Sequence, residues 1–126
     1  MPVLFAASAA SLSIIRLALL AGTTMFGAVA WFLADGTGLA PDLVADLPYA
    51  PVGLTILFAA LAVGVWIVRA QRRATGGSPI VGWALAESMA LIGGVYLLLV
   101  GDPAFLVVGL AAQLVVSFVA MPVSPQ

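Results

Sequence analysis

The chain has 126 residues, 64% of them hydrophobic and 7% charged, with four Arg, no Lys and a formal net charge of −1. Soluble domains carry roughly 45–50% apolar and about 25% charged residues, so this chain cannot cover a water-facing surface and the bilayer must be its solvent. With no Cys and no His, disulfides, thiolate chemistry, zinc sites and imidazole-held haem are excluded, and no cofactor or metal is expected.

Residues 1–10 contain small residues resembling a cleavage site, but no basic segment and too short an apolar stretch precede it, so a retained first helix is expected. Stretches of about 20 apolar residues form spanning helices, because lipid offers the backbone no hydrogen-bond partner. Four such stretches fit: about residues 12–34, 51–68, 79–100 and 103–120. The expected fold is all-α, a polytopic bundle of four transmembrane helices forming one domain over residues 1–126.

Arg16 lies near the start of helix one. In the long connection that follows, Pro41 would open a short interfacial helix with Asp42 near its positive end, while Leu43, Val44 and Leu47 face lipid or the bundle. Arg69, Arg72 and Arg73 fill the connection between helices two and three. Gly101-Asp102-Pro103 is so tight that helices three and four must be antiparallel neighbours.

Every Arg thus falls on one side, and Asp35, Asp42, Asp46 and Asp102 fall on the other. The positive-inside rule then places both termini in the cytoplasm of a bacterial inner membrane. Trp31, Tyr49 and Tyr96 fall near the outer interface and Trp66 and Trp83 near the inner one, where ring anchoring accounts for all five.

Setting Ile14 against Ile80 aligns helices one and three without gaps, with Ala18 on Ala84, Gly27 on Gly93 and Leu33 on Leu99. Pro51 likewise meets Pro103, and Ala59-Ala60 meets Ala111-Ala112. The order small-residue helix, outer loop, Pro-started helix repeats as well. A duplicated helical hairpin is expected, with repeats over about residues 12–68 and 79–120 running in the same direction.

Glu87, seven residues into helix three, is the one acid that no loop explains. A carboxylate at that depth costs several kcal/mol unless it is paired, protonated or facing water. The row Ala86, Ala90 and Gly94 lets another helix approach closely, and Ala18 with Gly22 forms a similar row on helix one. Gln113 on helix four lies at the depth of Glu87, and Ser117 one turn below it. Arg16 is shallower by about 7–8 Å, a gap that its side chain can span. A cluster of Glu87, Gln113, Ser117 and Arg16 is therefore a candidate ion- or proton-binding site. As a structural staple, Glu87 would fix helix register through hydrogen bonds. As a functional group, it would hold a proton or cation, since burial disfavours the charged form of a carboxyl group.

The segment Ala84-Leu-Ala-Glu87 through Gly101-Asp102-Pro103, together with Leu17 through Phe26, resembles uncharacterised four-helix bacterial integral membrane proteins. That resemblance covers most of the chain and implies no activity. The Arg-containing loop followed by a helix with one acid also resembles the rotor-ring proteolipid (c subunit) of ATP synthases, which implies an ion-carrying role for Glu87. Here helix two lacks the dense glycine repeat, and the duplicated unit has its hairpin loop on the outer side. Small multidrug transporters are similar in helix number, but their acid resembles a helix-one site and Glu87 lies on helix three. No nucleophile–base pair, phosphate loop or nucleic-acid surface is present, so neither an enzyme nor a nucleic-acid partner is expected. The expectation is an oligomeric or accessory subunit of a membrane complex, with the lipid bilayer and either copies of itself or other membrane subunits as partners. Proton or cation handling through Glu87 is the alternative.

Overall fold

The computed structural model describes residues 9–40, 42 and 46–122. Residues 1–8, Pro41, Leu43 and Val44 lie outside the described residues, and with them most of the N-terminal stretch and of the expected interfacial helix. Across that gap the Asp46 N–H donates to the Asp42 carbonyl at 3.2 Å, and Leu47 is exposed.

The described residues fold into four helices: α1 (Ala9–Ala34), α2 (Ala50–Thr75), α3 (Ile80–Val100) and α4 (Ala104–Val115), the last continuing as one π turn (Val116–Ala120). The first three are long and apolar enough to cross a membrane. The fourth is shorter: 12 α-helical and 5 π-helical residues reach about 24 Å, against a hydrocarbon core about 30 Å thick.

α2 runs seven residues past its expected end, so Arg69, Arg72 and Arg73 sit on a helix and the connection shrinks to residues 76–79. Arg, Gln and Ala are strong helix formers, and nothing between Val68 and Thr75 breaks the helix. Gly76 ends it with φ 72°, donating its N–H to the Arg72 carbonyl at 2.6 Å. Arg72 and Arg73 then lie in the last turn, at the negative end of the helix dipole.

α3 is the hub. It packs on α4, α1 and α2, whereas α1 and α2 each rest mainly on α3 and hardly on one another. Its inward face is Gly82, Trp83, Ala86, Met89, Ala90, Gly93, Gly94 and Leu97, dominated by small residues. Their size sets the spacing. A Cβ on Gly93 would lie 2.5 Å from the Phe105 backbone, and one on Gly109 would lie 2.6 Å from Ala90 Cα. α4 therefore packs backbone to backbone against α3, as the short Gly101–Pro103 connection requires. On the neighbouring flank the Phe26 ring of α1 covers Gly94, and on the other side Leu85 meets Gly64 of α2.

At the Asp-bearing end, the α1–α2 connection crosses the end of α3 and supplies donors to its last carbonyls. The Leu39 N–H reaches the Leu98 oxygen and the Ala40 N–H the Leu99 oxygen, both at 2.7 Å. Gly38 makes this crossing possible: its φ is 81°, and a Cβ there would lie 2.5 Å from the Leu99 oxygen.

Candidate functional site

At the Arg-bearing end, α4 finishes short, and its free carbonyls need donors that lipid cannot give. All three other helices supply one. Arg16 of α1 donates from Nη1 to the Ser117 carbonyl at 3.4 Å, and Arg69 of α2 from Nε to the Ala120 carbonyl at 3.0 Å. Trp83 of α3 donates its indole N–H to the Met121 carbonyl at 2.7 Å. Two of these donors are cations at the negative end of a helix dipole, which favours them further. The π turn closes through the Met121 N–H and the Val116 carbonyl, 2.7 Å apart.

Arg16 is thus directed to α4. Its guanidinium also stacks over the Phe118 ring, 4.1 Å from the centroid, while its Nε is buried without a hydrogen-bond partner. No ion pair or hydrogen bond joins it to Glu87 among the described residues. Of the expected cluster, the structure joins Arg16 with Ser117, through the Ser117 backbone oxygen.

Gln113 lies on the face of α4 that Ser117 continues one turn later, and the two are 1% and 2% exposed. Neither Gln113 Oε1 nor Nε2 has a hydrogen-bond partner among the described residues. A buried amide left unpaired costs about 1–3 kcal/mol. Pairing of Gly93 with Phe105–Leu106 and of Gly109 with Ala90 fixes the antiparallel register of α3 and α4, which puts Gln113 level with Ala86, the residue before Glu87. Glu87 is half-buried and makes no hydrogen bond or ion pair with a described residue. It lies seven residues, or two turns, before Gly94, and so on the flank of α3 that faces α1.

Chemically, this wedge between α1, α3 and α4 offers one carboxyl group that can bind a proton and one amide that can both donate and accept. Among the described residues, no group of acidic, His or Cys side chains is arranged to hold a metal.

Trp83 was expected at the interface but is 1% exposed, and Tyr96 packs edge-on against Phe105 with ring centroids 5.3 Å apart. Trp31, Tyr49 and Trp66 do point outwards, 60%, 80% and 66% exposed. The spacing of Trp83 to Ala86 and Ala90, three and seven residues, was the available signal that it shares the inward face. No family model, no curated protein and no solved structure matches this chain.

Proposed function

We propose that this chain is a small bacterial inner-membrane protein that works by packing, as a homo-oligomer or as an accessory subunit of a membrane complex, without enzymatic activity. The observation that carries this reading is the outer surface of α1 and α2. Ala18 and Gly22 form a small-residue row that is exposed, with nothing within 4 Å of a Cβ on Gly22. The comparable row on α3 is covered by other helices. Such rows let helices approach closely in lipid, where packing replaces the hydrophobic drive between helices. α2 buries only Phe58, Val65 and Arg72.

The reading includes both termini in the cytoplasm, for which the gathering of Arg at one end and Asp at the other is the argument. It also includes a duplicated hairpin, for which the aligned Gly27 and Gly93, both against Leu106, speak. Gentle solubilisation of native membranes followed by native mass spectrometry tests it. A multimer or a stoichiometric partner is expected; a lone monomer that captures no partner would refute it.

A second reading, proton or cation handling through Glu87, is favoured by one observation: seven residues inside a spanning helix, the acid has no partner among the described residues. A carbodiimide should label Glu87 in a pH-dependent way, and Glu87→Gln should abolish ion flux in vesicles. Absence of labelling at every pH would remove this reading.

A further inference from the structure

We propose that protonated Glu87 closes a two-hydrogen-bond pair with the Gln113 amide, in the wedge where α1, α3 and α4 meet. Glu87 is carried by α3 and Gln113 by α4. Gln113 is 1% exposed with Oε1 and Nε2 both unpartnered. The Gly93 and Gly109 contacts set it level with Ala86, the residue before Glu87. Each group also looks towards α1. Seven residues before Gln113, the Leu106 side chain meets Gly27 of α1; seven residues beyond Glu87, Gly94 receives Phe26 of α1.

The chemistry selects the neutral acid. A carboxylic acid donates its O–H to an amide oxygen and accepts from the amide N–H, so one partner satisfies both orphaned atoms of Gln113. A carboxylate can accept from Nε2 but leaves Oε1 without a donor. The event is one proton added to a Glu87 oxygen, with no other covalent bond made or broken.

The surrounding charges permit it. Arg16 is the one charged residue on α1, and it is held by the Ser117 carbonyl and the Phe118 ring. α4 and its π turn carry no titratable group. On α2, Arg69 and Arg72 donate to the Ala120 and Gly77 carbonyls at the Arg-bearing end, and Arg73 lies in the last turn. On α3 itself, the other titratable group is Tyr96, nine residues further along the helix.

The pair gives chemical form to the proton-handling reading and rests on it for its use. The two fail separately: absence of any flux through the parent protein speaks against handling alone, whereas the pair is read spectroscopically. Infrared difference spectra between acid and alkaline buffer would be recorded on the full chain in lipid vesicles. A protonated carboxyl stretch is expected, absent in Glu87→Gln and moved to higher frequency in Gln113→Leu, where its C=O loses a donor. Gln113→Met, of similar length, serves if the Leu variant does not fold. Absence at every pH of a carboxyl band that Glu87→Gln removes, or a Glu87 band that stays at the parent frequency in the Gln113 variants, would overturn the proposal.

Discussion

Gly93→Ala is the sharpest test of the packing that organises this bundle. The added methyl would lie 2.5 Å from the Phe105 carbonyl carbon and oxygen and 2.6 Å from the Leu106 nitrogen. Carbon atoms sit comfortably at about 3.5–4.0 Å, so α3 and α4 would have to part by about 1 Å. All three atoms are backbone, so no rotamer change relieves the contact. The helices also cannot open locally without straining the Gly109–Ala90 approach along the same line. Overpacking of this kind costs about 1–3 kcal/mol, of which the better helix propensity of Ala returns at most about 1 kcal/mol. A net loss of about 1–2 kcal/mol, roughly a five- to thirtyfold shift in the folding equilibrium, is expected. Gly22→Ala is the control, because nothing lies within 4 Å of its added methyl. It should leave the isolated chain unchanged or stabilise it by up to about 1 kcal/mol. Reversible unfolding in mixed micelles, monitored by Trp fluorescence, would measure both variants. If Gly93→Ala were as stable as the parent, or Gly22→Ala as damaging as Gly93→Ala, the assignment of α3–α4 as the backbone-close interface would be refuted.

Further expectations concern the helix ends and the wedge. Trp83→Phe keeps a ring but removes the donor to the Met121 carbonyl; unfolding titrations should show a loss of about 1–3 kcal/mol. Gly38→Ala should destabilise by a similar order, because it combines a φ of 81° with a 2.5 Å approach to the Leu99 oxygen. Amide exchange at Leu39 and Ala40 would accelerate first, and unchanged exchange there would count against the crossing connection. Arg69→Gln should weaken the end of α4 by about 0.3–1 kcal/mol, read as faster exchange of the Met121 amide. Gln113→Leu should stabilise the protein at alkaline pH, by about 1–3 kcal/mol, because it removes an unpaired buried amide. In acid that gain should shrink, since protonated Glu87 stabilises the parent through Gln113; a stability difference independent of pH would contradict the pairing.

The sequence by itself determined the environment and the element types. Apolar length and the scarcity of charge are local properties, and lipid forces each spanning segment to satisfy its own backbone, so helices near residues 12–34, 51–68 and 79–100 follow without tertiary knowledge. The three-residue Gly101–Pro103 link likewise fixed α3 and α4 as antiparallel neighbours, and counting about seven residues from the Arg-bearing end of each helix gave Gln113 and Glu87 similar depths. Tertiary structure decided which side chains meet. Whether Arg16 reaches a carboxylate or a carbonyl depends on where α4 stops: it stops short in a π turn whose free oxygens capture Arg16 and Arg69, and the oxygen of Met121 just beyond it captures Trp83. Trp83 became core because Gly82, Ala86 and Ala90 bring the end of α4 against it, a consequence of close packing that ring chemistry alone does not reveal. That α1 and α2 both lean on α3 and hardly on each other also came only from the assembled bundle. In lipid, small-residue rows rather than chain order choose the partners.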